Sequence, residues 1–190
     1  LLGTSQRNHG RAFYVDLHGQ SHPEHWNEVR FPLSLLYTDP CVPLAFLAWL
    51  RDIADTLSLP NAALDRSSVR SSAAAFASAR RLHHSDVLRG PHSLGSLLEH
   101  LGHRAVPSPA HPSPGRHNYF NGGYSVRTHG TAAHVGGVQI EVTRSARLTK
   151  ESRKEFARDL AMALASYCAF YCDWKSTHDA GLDHPLAIRA

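Results

Sequence analysis

An aspartate and a histidine stand close together near the start of the chain, in a pattern that suits metal chemistry. The stretch "RAFYVDLHG" (11–19) alternates apolar and polar residues and predicts a β-strand that ends at Gly19. Asp16 and His18 are two residues apart, so their side chains share one face of that strand. The pair predicts either a metal-binding histidine whose second ring nitrogen is oriented by a carboxylate, or a structural, hydrogen-bonded histidine.

A single glutamate lies within a second strand-like stretch, "GGVQIEVTR" (136–144). A carboxylate is costly to bury among apolar residues unless it is paired, hydrogen-bonded or used in proton transfer. Two interpretations of Glu141 are open. It forms a structural ion pair with Arg144 or Arg127, or it is a general base at a site near the ends of the strands.

Further ligand-type side chains follow the first strand, but they match no known metal motif. His22, Glu24 and His25 lie in "HPEH", which is one residue short of the inverted zinc motif and falls in a loop. The chain has no HExxH, CxxC, phosphate-binding loop or GxGxxG sequence. Ordinary zincin, redox, nucleotide-hydrolysing and dinucleotide-binding functions are therefore not indicated.

The stretch "NYFNGGYSVRTHG" (118–130) predicts a glycine-rich loop that leads into a strand. Gly122 and Gly123 permit a close approach of the backbone that a side chain would prevent, although an ordinary β-turn would also explain them. The strand that follows carries Arg127 and His129 toward the same side of the predicted site as the loop. Hydrogen-bonding side chains in the loop are Asn118, Asn121 and Tyr124.

The remaining elements predict an α/β domain. Ser93 is expected to cap a helix that Gly102 ends, and Thr149 is expected to cap a long amphipathic helix over 150–175. That helix presents a broad apolar face: Phe156, Leu160, Ala163, Leu164, Tyr167, Phe170, Tyr171 and Trp174. The other expected elements are a polar loop at 21–34, a helix at 42–57, a weaker helix at 73–80, a strand at 104–106 and a proline-rich loop at 107–114.

Composition limits the classes of function. The chain has 190 residues, 42% of them hydrophobic and 19% charged, as is typical of one globular domain. The net charge of +4 comes from scattered basic residues, so no nucleic-acid partner is expected. No apolar run reaches the length of a membrane span. Three cysteines and the lack of a recognisable secretion signal favour reduced thiols and a cytoplasmic location, and the oligomeric state stays open.

Four motifs in order resemble the N-formylglutamate amidohydrolase-like family: "YVDLHGQSHPE", "GPHSLGSLLEHLGHRAVPSP", "NYFNGGYSVRTHG" and "VQIEVTRSAR". The resemblance covers residues 12 to 165. It implies a zinc-dependent amide hydrolase whose core is similar to that of the zinc carboxypeptidases. The fold implied is a three-layer α/β sandwich of the phosphorylase/hydrolase-like type with a mostly parallel or mixed sheet.

The resemblance also implies roles for individual residues. His18 would bind one zinc ion, and Glu141 would be the general base that takes a proton from the zinc-activated water and passes it to the leaving amine. Arg127 would assist catalysis or bind the substrate carboxylate. The substrate implied is a small N-acylated, carboxylate-bearing amino acid such as N-formylglutamate. Other substrate contacts would come from Asn121, Gly122, Gly123, Tyr124 and Arg144, and the surroundings of the zinc ligand from Asp16, His22 and His129.

The chain departs from the family at its first metal-binding segment. Family members carry a histidine and an acidic residue upstream of the D-x-H strand, whereas the first 15 residues here offer only His9. We therefore expect residues 1–190 to be a single domain that forms the C-terminal portion of a longer hydrolase, with further zinc ligands upstream. Tyr119 and Gly19 replace a proline and a serine of typical members, which leaves the substrate open. The alternative is an inactive α/β remnant that binds a small acidic ligand or a protein partner.

Overall fold

The computed structural model describes residues 12–23, 25–30, 33–34, 57–66, 70–71, 77–78, 80–117 and 135–171. These residues form a mixed α/β fold, as the sequence predicts. The strands are β1 (Ala12–Gly19), β2 (Asn27–Arg30), β3 (Leu33–Ser34), β4 (Arg70–Ser71), β5 (Ala105–Val106) and β6 (Val135–Val142). The helices are α1 (Asn61–Arg66), α2 (His84–Arg89), α3 (Leu94–His100) and α4 (Lys150–Tyr171), with a 3-10 turn at Ser145–Arg147.

Four of the strands form one mixed sheet in the order β1-β6-β2-β5. β1 and β6 run parallel over their whole length, β2 runs antiparallel to β6, and β5 runs parallel to β2. β3 and β4 form a separate antiparallel pair. Because β1 and β6 are parallel and β2 is reversed, the C-terminal ends of the first two lie at the same edge of the sheet as the beginning of β2.

The prediction of a polar loop over 21–34 is wrong for β2, which lies inside the sheet. All four of its residues are buried, including Glu28 and Arg30. These two side chains form an ion pair with each other, which satisfies both charges away from water. Because both side chains are charged, the sequence pattern does not indicate a strand in the interior of the sheet.

The helix α3 confirms the predicted capping residues. The Ser93 hydroxyl accepts a hydrogen bond from the Ser96 backbone N–H at 3.2 Å, and Gly102 follows the helix with a positive φ of 85°. Leu94 and Leu98 are fully buried. The helix is therefore fixed at both ends by local sequence and on one side by the core.

The long helix α4 begins where the sequence predicts. Thr149 Oγ1 accepts a hydrogen bond from the Ser152 backbone N–H at 3.0 Å. The ring centroids of Tyr167 and Phe13 are 5.9 Å apart, so α4 packs against β1 at Phe13. Phe170, also part of the predicted apolar face, is 39% exposed and stacks on His92. The buried positions confirmed on the apolar face are Phe156, Leu160, Ala163, Tyr167 and Tyr171.

Several expected elements lie outside the described residues: nearly all of the helix at 42–57, most of the one at 73–80, the loop and strand at 118–130, and the chain after 171. Within the described part, no helix is both long enough and apolar enough to cross a membrane.

Candidate functional site

Strand register brings three ionisable side chains from distant parts of the chain into one line across the sheet. His18 of β1 lies directly opposite Glu141 of β6, and Glu141 lies directly opposite Glu28 of β2. Residues opposite each other on neighbouring strands project to the same face of a sheet. We call His18, Glu141 and Glu28 the upper row.

A second line of polar side chains runs parallel to the upper row, two residues earlier on β1 and β6 and two residues later on the antiparallel β2. Asp16 lies opposite Gln139, and Gln139 lies opposite Arg30. Because side-chain direction repeats every two residues, this line projects to the same face as the upper row. We call Asp16, Gln139 and Arg30 the lower row.

On β1 and β6, the lower row contacts the upper row within each strand. Asp16 Oδ1 lies 3.1 Å from His18 Nε2, and the Gln139 amide donates a 2.7 Å hydrogen bond to Glu141 Oε1. The carboxylate of Glu141 is nearly inaccessible, with 5% of its side chain exposed, whereas 46% of the His18 side chain is exposed. The two rows thus hold an accessible imidazole beside a buried carboxylate.

The imidazole and the carboxylate of the upper row lie next to each other. His18 Nδ1 is 3.8 Å from Glu141 Oε1, so the ring nitrogen that does not contact Asp16 is directed toward Glu141. The predicted ion pair between Glu141 and Arg144 is wrong, because Arg144 is exposed and makes no contact with this carboxylate within the described part of the chain. Hydrogen bonding by Gln139 accounts for the burial of Glu141 instead.

Glu28 extends the site onto β2, and the sequence analysis did not identify it. Its carboxylate is fully buried, pairs with Arg30, and lies 2.9 Å from His22 Nδ1. His22 was expected near the zinc ligand, and it contacts Glu28 at the same edge of the sheet. A signal for this strand existed in "WNEVR", where the apolar Trp26 and Val29 stand on either side of Glu28, but the charges of Glu28 and Arg30 indicated a loop.

The loop that carries His22 is organised by Gln20, which is 2% exposed. The Gln20 backbone N–H donates to Val142 at 3.0 Å, and its side-chain amide donates to the Trp26 carbonyl at 2.5 Å. The side-chain oxygen of Gln20 accepts the backbone N–H of His22. One buried amide therefore fixes the chain between β1 and β2, and with it the position of His22.

Arg147 joins the ends of β1 and β6 and explains the glycine at position 19. Its guanidinium donates to the Gln20 carbonyl at 2.7 Å and to the Val142 carbonyl at 3.1 Å. A Cβ atom added at Gly19 would lie 2.5 Å from Arg147 Cζ. A side chain at position 19 would require this guanidinium to move away from the two carbonyls that it binds, so Gly19 and Arg147 are matched to each other.

The face that bears the two rows carries three carboxylates and one guanidinium. Asp16 Oδ2 is buried and has no hydrogen-bond partner in the described part of the chain, while Oδ1 contacts His18. A buried carboxylate oxygen without a hydrogen-bond partner favours a nearby cation or hydrogen-bond donor. Within the ranges the structure covers, no group of three or more histidine, cysteine, aspartate or glutamate side chains is placed to hold a metal ion.

Several predicted site residues lie outside the described residues: Asn121, Gly122, Gly123, Tyr124, Arg127 and His129. Arg144 is described and exposed just after the end of β6, at the same edge of the sheet as His18. The structure therefore brings together His18, Glu141, Asp16 and His22 and adds Glu28, Arg30 and Gln139.

Comparison with known proteins gives no further assignment: no family model, no curated protein and no solved structure matches the chain.

Proposed function

We propose that the chain is a metal-dependent amidohydrolase similar to the N-formylglutamate amidohydrolase-like family, with the three-layer fold of the zinc carboxypeptidases. The observation that carries the proposal is the position of His18, with Asp16 on one ring nitrogen and Glu141 facing the other. This arrangement lies at the C-terminal end of two parallel strands, which is where α/β sheets bind ligands.

The geometry of His18 fits one zinc ligand. Histidines that bind zinc usually contact a carboxylate or carbonyl through their second ring nitrogen, and Asp16 is placed to do so. A catalytic zinc ion takes three protein ligands, so the other ligands come from outside the described residues. When bound, zinc polarises the scissile carbonyl and lowers the pKa of water.

Glu141 supplies proton transfer. Its carboxylate is positioned by Gln139 and accepts the proton of the attacking water, which adds to the acyl carbon. The same proton then passes to the amine nitrogen as the C–N bond breaks, so the products are a carboxylic acid and a free amino acid. Burial of Glu141 keeps bulk water away from the carboxylate that carries the proton.

The substrate is an N-acylated amino acid with a free carboxylate. Arg144 is exposed at the edge of the sheet beside the end of β6, where its guanidinium can bind a carboxylate through two hydrogen bonds. The glycine loop and the strand after it contribute the other contacts that the motifs imply, from Asn121, Gly122, Gly123, Tyr124, Arg127 and His129.

Zinc content and amide hydrolysis test the proposal. Zinc per chain is measured after dialysis for the wild type, for a version extended upstream and for His18→Ala in both. His83→Ala is the matched control, because fifteen histidines can bind zinc nonspecifically and the His83 side chain is 76% exposed. We expect near-stoichiometric zinc in the extended protein, and its loss in His18→Ala alone.

Turnover is then followed as amine release from N-formyl-L-glutamate and from a set of N-acetyl and N-formyl amino acids. We expect Glu141→Gln to keep zinc and lose at least 100-fold in kcat. If the extended protein holds no zinc and hydrolyses none of these amides, the hydrolase proposal fails. Binding of a small acidic ligand or of a protein partner then becomes the better explanation of the site.

A further inference from the structure

The hydrogen bond between Gln139 and Glu141 assigns a role to a residue that the motifs leave without one. Resting on the proposed function, we propose that Gln139 is a positioning residue that fixes the carboxylate of the general base. Both residues are buried, at 2% and 4% exposure, and the Gln139 amide nitrogen lies 2.7 Å from Glu141 Oε1. At this depth water cannot replace a lost donor at low cost.

The same device recurs on all three strands that carry the rows. Gln139 occupies the centre of the lower row, opposite Asp16 on β1 and Arg30 on β2. Asp16 contacts His18, and Arg30 contacts Glu28. The lower row thus supports the upper row side chain by side chain, and Gln139 supports the member that transfers the proton.

A glutamine meets this requirement better than other residue types. Its amide donates a hydrogen bond to the carboxylate and carries no charge of its own. A lysine or arginine at this position would instead add a buried charge to the site. In the part of the chain that is described, Gln139 is the hydrogen-bond donor to Glu141.

Kinetics of two variants test this role. Gln139→Met keeps length and removes the donor, whereas Gln139→Asn keeps the donor and shortens its reach by one methylene. We expect kcat to fall about 10- to 100-fold in both, with KM and zinc content unchanged, because substrate and metal bind through other residues. Thr143→Val, directly after the same strand, is the matched control, because Thr143 is buried and its Oγ1 makes no hydrogen bond within the described residues. It should leave kcat unchanged.

A readout independent of activity separates this inference from the proposed function. The chain has only three glutamines, so a protein labelled with 15N in glutamine side chains gives few amide signals, and Gln139→Met identifies the one from residue 139. We expect Glu141→Ala to shift that signal and to speed its hydrogen exchange, while Thr143→Val does neither.

The outcomes are distinguishable. An unchanged Gln139 signal in Glu141→Ala, or an active Gln139→Met enzyme with wild-type kcat, overturns the positioning role. If the wild type proves inactive while Glu141→Ala shifts the signal, the proposed function fails, and the catalytic meaning of the Gln139–Glu141 bond fails with it.

Discussion

One contact of Gly95, in the helix α3, decides whether Gly95→Ala stabilises or destabilises the protein. In an average helix interior, alanine is more favourable than glycine by about 1 kcal/mol, so Gly95→Ala would normally stabilise a protein. Here a Cβ atom at position 95 would lie 1.9 Å from the Pro107 carbonyl oxygen and 2.9 Å from its carbonyl carbon. Both are backbone atoms, which cannot rotate away.

The size of the stability loss follows from how far α3 and the proline-rich loop must move apart to make room for alanine. An ordinary contact begins near 3.4 Å, so α3 and the proline-rich loop must separate by about 1.5 Å. Ser108 resists this movement, because it is fully buried and its hydroxyl donates to Glu99 of α3 at 2.8 Å. Overpacking of this kind costs roughly 1–3 kcal/mol, and a backbone clash belongs at the upper end. We expect a net loss of about 2 kcal/mol in the free energy of unfolding.

Urea denaturation followed by tryptophan fluorescence measures this loss. Gly102→Ala is the matched control, because it adds the same methyl group in open space at a φ of 85°. Its expected cost is about 1 kcal/mol, from the left-handed backbone alone. A Gly95→Ala protein as stable as the wild type, or more stable, would refute the reasoning and show that the loop moves aside freely.

Two further predictions concern pH and the edge of the site. Burial lowers the pKa of His84 to about 4 and outweighs the opposing charge of Asp65, so the unfolded chain binds this proton first as the pH falls. The stability that His84 contributes is present above pH 6.5 and is lost between pH 6.5 and 4, by roughly 3 kcal/mol in total. His84→Gln should show a correspondingly smaller loss between pH 7 and 4.5 in denaturation curves, and an equal loss would contradict the assignment. Gly19→Ser should displace Arg147 from two backbone carbonyls and destabilise the fold by roughly 1–2 kcal/mol, whereas Gly19→Ser combined with Arg147→Ala should show no additional loss beyond Arg147→Ala alone.

Local chemistry explains which elements could be predicted from the sequence. The helices α3 and α4 begin at Ser93 and Thr149 because each hydroxyl caps a backbone N–H a few residues away, and such signals lie within one turn. β1 and β6 were visible from strict alternation of apolar and polar residues. These elements account for the α/β class, whereas the sheet is mixed because β2, which the sequence pattern indicated as a loop, runs antiparallel to β6.

The contacts of the site depend on information that no short stretch contains. The approach of His18 to Glu141 requires β1 and β6 to pair in one particular register, and a shift by one residue would place them on opposite faces. Glu28 was missed because Arg30 neutralises it only after folding. Its sequence neighbourhood therefore resembled a solvated loop. The roles proposed for 121–129 stay predictions, since those residues lie outside the described ranges.

The two rows also determine what refolding experiments on this protein report. Their residues come from positions 16–30 and 139–141, so the chain from 31 to 138 must close into a loop before either row exists. The capped helix α3, by contrast, needs only neighbouring residues to begin. We therefore expect helical circular dichroism to return early and the rows to assemble late. Recovered ellipticity therefore does not show that the two rows have formed. Partially refolded preparations will contain molecules that have the helix but lack the two rows.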